Sequence, residues 1–236
     1  IMDGNGRWAR RRGLPRIEGH RVGGETVRAI VRQCARLGIE SLTLYSFSLE
    51  NWKRPREEVE GLMALYAQYL ASERAEIVEN DIRLTQLGRR AGLPDEVLRE
   101  LDATEELSRG NGGLRLNLAL NYGSRAEIVD AVRSLAQRVQ RGELTPDQID
   151  EQAISEALYT RGQPDPDLLI RTAGEMRISN FLLWQISYAE LYITPVLWPD
   201  FSVDELHDAL RAFARRERRF GDVRPHDGRA SPTAQA

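Results

Sequence analysis

Apolar residues recur along this chain in two alternating rhythms. Val27, Ile30, Val31, Cys34 and Leu37 fall at the three-and-four spacing of one helix face over 24–37, and Gly38 suits a C-cap. "SLTLYSF" at 41–47 reads as a buried strand. The succession then repeats, with a long helix over 57–79, a strand over 82–88, a helix over 94–109, a strand over 114–123 and a helix over 125–141. Thr145 is placed to cap a further helix within 144–159. "DLLIRT" at 167–172 predicts a short strand, and "ISNFLLWQISYAELYI" at 178–193 a helix running into a strand end. Residues 203–219 predict a last amphipathic helix.

Repeated strand–helix units imply an α/β fold: a single domain with a mostly parallel central sheet flanked by helices. A chain of 236 residues is large enough for one substantial core, assigned to 1–221, with a first strand expected before Ile1. The polar tail "DVRPHDGRASPTAQA" at 222–236 is expected to be disordered. No internal repeat is visible.

Charge narrows the function classes. A net charge of −3 and a pI near 5.8 argue against a general nucleic-acid binder. Cys34 is the only cysteine, which excludes a disulfide framework or a cysteine-based zinc site within one chain and fits a reducing, cytoplasmic compartment. No apolar run reaches the roughly 20 residues of a membrane span, and no signal-peptide pattern opens the chain. Lys53 is the only lysine among 33 basic residues, so no phosphate-binding G-x-x-x-x-G-K-[ST] loop exists. The arginines suit forked phosphate recognition instead.

Ligands of open α/β sheets bind beyond the carboxyl ends of the strands. Three polar segments are expected there: 3–8, with Asp3, Asn5 and Arg7; 48–54, with Ser48, Glu50, Asn51, Trp52 and Arg54; and 172–179, with Arg177 and Ser179, after Arg171. Arginines, hydroxyls and glycine backbone suit phosphate, and a lone carboxylate among them suits Mg²⁺ bridged to phosphate oxygens. Any one segment alone would pass for an ordinary loop, with Asp3 as a cap; three at one edge would not. "GNGRWA" also matches the dinucleotide pattern G-x-G-x-x-A, with Glu25 near the ribose-binding position. Gly13 and Pro15 interrupt the helix that this pattern requires, which weakens that oxidoreductase reading.

"MDGNGRWA", "LTLYSFSLENWKRP", "IRTAGEMRISNFLLWQISYAELY" and "LWPDF" resemble, in order and without gaps, the cis-prenyltransferase family of undecaprenyl diphosphate synthases. The resemblance runs from Ile1 to about Gly221. It implies condensation of farnesyl diphosphate with successive isopentenyl diphosphates to a long cis-polyprenyl diphosphate, with undecaprenyl diphosphate for the cell-wall lipid carrier as the expected product. Trans-type synthases are all-helical and use D-D-x-x-D motifs, which this sequence lacks.

The resemblance also assigns roles. Asp3 would be a Mg²⁺ ligand, with Glu190 supplied by the partner subunit of a homodimer. Gly4, Asn5, Gly6 and Arg7 would cradle the allylic diphosphate, helped by Trp8, Arg16 and His20. Arg171, Arg177, Ile178 and Ser179 would hold isopentenyl diphosphate. Asn51, with Ser48 nearby, falls in the proton-acceptor region, although an amide is a poor base and a relay or the diphosphate is the alternative. Leu49, Glu50, Trp52 and Arg54 match further substrate positions. Val59, Leu62, Met63, Tyr66, Tyr69 and Leu70 on helix 57–79 would wall a hydrophobic tunnel while also serving as core. Product release is expected at the membrane surface.

Met176 stands where some relatives have a histidine, and Ala173 where Gly or Ser is common; both are expected in a mobile loop that tunes affinity. Phe181, Leu182, Leu183, Trp184 and Ile186 cover more than one helical face, so a second subunit is expected to bury one face. A short- or medium-chain synthase is the nearest alternative. A non-catalytic accessory subunit is disfavoured because Asp3, Arg171, Arg177 and Glu190 are all present.

Overall fold

The computed structural model of this chain describes residues 1–217. The tail at 222–236, and the last residues of the helix expected over 203–219, lie outside them. Parallel strands β1 (Ser41–Ser48), β3 (Arg115–Tyr122) and β2 (Arg83–Leu87) form one sheet in the order β1-β3-β2. A second parallel pair joins β4 (Leu168–Arg171) to β5 (Glu190–Ile193), with Leu168 opposite Glu190 and Arg171 opposite Ile193. Ile1 lies along β4: Ile170 O accepts from the Ile1 amino group at 2.6 Å, and Thr172 N donates to Ile1 O at 3.3 Å. The central strand β3 is almost continuously buried from Leu116 to Tyr122, as a strand covered on both faces must be.

Helices α2 (Arg16–Arg36), α3 (Arg56–Ser72) and α5 (Asp95–Ser108) bury Ile30, Leu62, Met63 and Leu101 against Leu44, Leu84 and Leu116 of the sheet. A second cluster gathers Tyr122, Leu169, Phe181, Leu182 and Ile186, with Phe181 stacked on Tyr45 at 4.4 Å between ring centroids. The remaining helices are α1 (Asn5–Arg11), α4 (Arg74–Glu79), α6 (Ser124–Gln140), α7 (Glu151–Ala157) and α8 (Val203–Ala214). No helix among the described residues is long and apolar enough to cross a membrane.

The predicted elements are present; α1 is an added short helix, α8 ends at Ala214 and not at 219, and four differences are larger. Helix α2 begins at Arg16, not at 24, because Gly19, Gly23 and Gly24 blank out the apolar period over its first turns. The helix expected over 57–79 breaks at Glu73 into α3 and α4. Thr145 forms a reciprocal cap with Gln148 on a 3₁₀ turn over Pro146–Gln148, and Asp150 is the cap of α7, its Oδ1 accepting from Ala153 N at 2.8 Å.

The fourth difference is the largest. Residues 178–189 are not helical; they form successive turns, with Ser179, Asn180 and Leu182 in the left-handed region at φ of 50°, 61° and 48°. Phe181, Leu182 and Ile186 are buried by the chain's own second core cluster. The segment is irregular and not an amphipathic helix, and Leu183 and Trp184 of the same stretch are only half-buried within this chain.

Candidate active site

A cavity of about 790 Å³ opens beyond the carboxyl ends of β1 and β4 and runs back between α2, α3 and the sheet. Its polar part is lined by residues of all three expected segments, including Asp3, Arg7, Ser48, Asn51, Arg171 and Ser179. Its depth is apolar, lined by Val31, Leu44, Leu62, Leu70, Leu116 and Leu118 among others. Leu62, Tyr66, Tyr69 and Leu70 of the expected helix face line it, whereas Val59 and Met63 pack into the core.

Asp3 is fixed through its backbone. Thr172 Oγ1, fully buried, accepts from Asp3 N at 2.9 Å and donates to Asp3 O at 2.7 Å, and Trp198 N donates to the same oxygen at 3.0 Å. The carboxylate faces Arg171 Nη2 at 3.0 Å and Arg7 Nη2 at 3.4 Å. Burial pushes its pKa up, but the hydrogen bond and charge of Arg171, together with Arg7, more than offset this and hold it below the usual carboxylate range. Asp3 is therefore ionised at neutral pH. Thr172 was invisible as a functional residue in the sequence; its position after a strand end was the one available signal.

The two glycines of the first segment differ: the backbone demands Gly4, whereas at Gly6 only a movable side-chain end is close. Gly4 has φ +111°, and a Cβ there would meet Leu197 at 2.9 Å; at Gly6 a Cβ would meet the Arg16 guanidinium at 2.6 Å. The space expected for diphosphate at Gly6 is thus the space in which Arg16 reaches the cavity. The first turn of α1 has no side-chain cap, so its amide donors are available to an anion. Glu58 collects Arg16 at 3.1 Å and Arg54 at 3.1 Å. Burial, then the charge of Arg54, lowers the pKa of His20 to about 4, so it is neutral before any anion arrives.

Asn51 does not present a free acceptor. Its Oδ1 accepts from Ser48 N at 3.1 Å, and the Ser48 side chain caps Asn51 N in return. Glu50 accepts from Asn180 Nδ2 at 2.9 Å. Four expected substrate residues lie outside the cavity lining. Trp8 donates to Asp200 Oδ1 at 2.7 Å, Trp52 donates to Asn121 Oδ1 at 2.7 Å, Leu49 packs near Gly123, and Ile178 packs on the second core cluster.

Arg171 and Arg177 differ sharply. The Arg171 side chain is 4% exposed and ties Asp3 to Ser179 Oγ (2.8 Å) and to the Arg177 carbonyl, while its buried Nε has no partner. Arg177 is 59% exposed, and its guanidinium pairs with Glu175 at 2.5 Å. Ala173 is buried: its N donates to Val196 O at 2.7 Å and its carbonyl accepts from Arg7 Nη1 at 3.0 Å. Met176 is exposed. Ala173 has φ 72°, a left-handed conformation that costs an alanine roughly 1–2 kcal/mol. Ala173→Gly should relieve this strain and, after the greater unfolded-state entropy of glycine, raise stability by up to about 1 kcal/mol, checked by urea denaturation.

Glu190 is not beside Asp3. It opens β5 opposite Leu168, three residues from the Arg171 end of the pair, or about 10 Å along the strands, and bonds Arg216 at 2.7 Å. No group of three or more His, Cys, Asp or Glu side chains among the described residues could enclose a metal. An ionised Asp3 at an arginine-lined cavity suits Mg²⁺ that takes its other ligands from a bound anion and water.

The family model described as "Putative undecaprenyl diphosphate synthase" matches residues 1–221. An isoprenyl transferase of Rhodopirellula baltica is 53% identical over 94% of this chain and 91% of that protein. The farnesyl-diphosphate-specific ditrans,polycis-undecaprenyl-diphosphate synthase of Escherichia coli K12 is 50% identical over 96% of this chain and 90% of its own length. Among solved structures, lavandulyl diphosphate synthase from Lavandula x intermedia, in complex with dimethylallyl diphosphate, superposes with a TM-score of 0.92 at 40% identity, covering 94% of this chain and 96% of that one. A probable undecaprenyl diphosphate synthase from Campylobacter jejuni gives 0.75 at 34% identity, covering 85% and 92%. A family match over residues 1–221, half the residues shared with curated relatives and a common fold around an arginine-lined cavity lead to one conclusion: this chain belongs to the undecaprenyl diphosphate synthase family of prenyltransferases.

Proposed function

We propose that this protein condenses farnesyl diphosphate with successive isopentenyl diphosphates to a long cis-polyprenyl diphosphate, undecaprenyl diphosphate in the first instance. One observation carries the reading: a single cavity joins an arginine-rich mouth to a long apolar interior. The mouth suits two diphosphates and the interior, as a hydrophobic tunnel, a growing hydrocarbon. A cofactor-binding oxidoreductase would need an unbroken helix after the glycines, whereas α1 ends at Arg11.

In this reading the amides of the first turn of α1, with Arg7, Arg16 and the Gly4–Gly6 backbone, hold the allylic diphosphate. His20, neutral when the site is empty, would gain a proton beside that anion. Arg171, Arg177 and Ser179 hold isopentenyl diphosphate so that its double bond faces the allylic carbon. Asn51, locked by Ser48, orients the added unit, and its proton passes to a diphosphate oxygen or water. Asp3, with Glu190 of the partner subunit, would hold Mg²⁺, and the ion would supply charge neutralisation for a leaving diphosphate. Incubation with farnesyl diphosphate, labelled isopentenyl diphosphate and Mg²⁺, followed by sizing of the products, tests the reading. Labelled products that stop after one or a few additions would favour a short- or medium-chain synthase, and no incorporation with either farnesyl or dimethylallyl diphosphate as primer would reject a synthase altogether.

We further propose a cytoplasmic homodimer that touches the membrane surface transiently to release product. Its apolar candidates for contact are Tyr188 and Leu191, both exposed beside Glu190. If Glu190 serves the neighbouring site, mixing Glu190→Ala with Asp3→Ala subunits should recover partial activity, because one mixed site then holds both carboxylates. No recovery in verified heterodimers would remove Glu190 from the metal site.

A further inference from the structure

We infer that Glu127, a residue with no place in the chemistry above, is a positioning residue for the isopentenyl diphosphate side of the cavity. The inference rests on the assignment of Arg171, Arg177 and Ser179 to that substrate.

The segment that carries Ser179 needs an external clamp. Residues 178–189 belong to no helix or strand and are held internally by isolated turn hydrogen bonds, and Ser179 and Asn180 sit in left-handed conformations unfavourable to side chains. Their support comes from the first turn of α6. Ser124 N donates to Asn180 O at 2.8 Å, Arg125 N to Asn180 Oδ1 at 2.9 Å, and Leu183 N to Ser124 Oγ at 2.9 Å. Orphan donors at the start of a helix are thereby used as anchors for a distant loop.

Glu127 completes that turn from inside. It is the one wholly buried carboxylate among the described residues. Its Oε1 accepts from Gln185 Nε2 at 3.1 Å and from Tyr159 N at 2.9 Å, and its Oε2 accepts from the Tyr122 hydroxyl. Gln185 also donates to Thr160 Oγ1 at 3.0 Å. Burial pushes the pKa of Glu127 up, which the donors of Tyr122, Gln185 and Tyr159 only partly oppose. One side chain thus ties β3, α6, the strand-free stretch at 158–160 and the substrate-binding segment together. Removing it takes the acceptor from the Tyr122 hydroxyl and the Tyr159 amide, leaves Gln185 held by Thr160 alone, and frees the segment that fixes Ser179 beside Arg171.

The geometry also makes Glu127→Gln tolerable. The carbonyl of the new amide can take both the Gln185 and Tyr159 donors, while its NH₂ donates to the Tyr122 oxygen. Glu127→Ala should therefore raise KM for isopentenyl diphosphate by about tenfold or more, with KM for farnesyl diphosphate changed by less than about twofold. Glu127→Gln should lie within about threefold of the parent on both. Gln185→Met, which keeps Glu127 and most of the packing, should give a smaller rise selective for isopentenyl diphosphate, and serves if Glu127→Ala does not fold. Arg177→Ala is measured beside them. A selective rise in Arg177→Ala with unchanged or unselective KM values in Glu127→Ala and Gln185→Met overturns this inference alone. No selective rise in Arg177→Ala overturns the substrate assignment and this inference with it.

Discussion

Asp3→Ala is expected to lower kcat by at least about two to three orders of magnitude, the scale of losing one preorganised stabiliser of developing charge. The site has one carboxylate at this position and no substitute: Glu190 stands at the far end of the β4–β5 pair, and Glu175 is engaged by Arg7 and Arg177. Diphosphate binding should persist or tighten. Asp3 is the anionic partner of buried Arg171, so its removal leaves that guanidinium without its counter-charge and open to substrate. Steady-state turnover, set beside farnesyl diphosphate affinity measured by thermal shift, separates the two effects. Near-normal turnover would overturn the metal assignment, and lost binding with lost turnover would point to a collapsed site.

The two arginines of the isopentenyl diphosphate side should fail in different ways. Each charge-assisted bond lost costs roughly 1.5–3 kcal/mol, or about 10–100-fold in affinity. Arg177→Ala should place that cost on KM for isopentenyl diphosphate, with little change in stability, because the side chain is mostly exposed. Arg171→Ala should raise the same KM and also lower kcat and the melting temperature. Its head group joins Asp3, Ser179 and the carbonyl of Arg177, so its loss leaves buried acceptors unpaired and Asp3 misplaced. Equal effects of Arg177→Ala on both substrates would mean that the two diphosphate sites are wrongly divided.

The sequence by itself determined the fold class and most of the elements. Strands 41–47, 82–88 and 114–123 lie within a residue or so of β1, β2 and β3, because buried parallel strands read as dense apolar runs between helical periods. The rule that ligands gather at the carboxyl ends of such strands then brought 3–8, 48–54 and 172–179 together, and all three line one cavity. The motifs within them carried the family.

Only the tertiary structure decided which side chains of those motifs reach the cavity. Trp8 and Trp52 point their indole nitrogens at Asp200 and Asn121, partners far away in sequence, and no local pattern encodes that choice. The same holds for the amide of Asn51, bound to its own cap, and for Thr172, whose hydroxyl is useful only because Asp3 lies across from it. Residues 178–189 are the clearest case. Their apolar density satisfies a helix period, but Asn180 takes the orphan donors of α6 while Phe181, Leu182 and Ile186 fill a core built from other strands. Helix propensity is worth tenths of a kcal/mol per residue, whereas satisfying buried donors and filling a core are worth whole ones. Where the two compete, long-range contacts prevail, and a single sequence does not show who those contacts are.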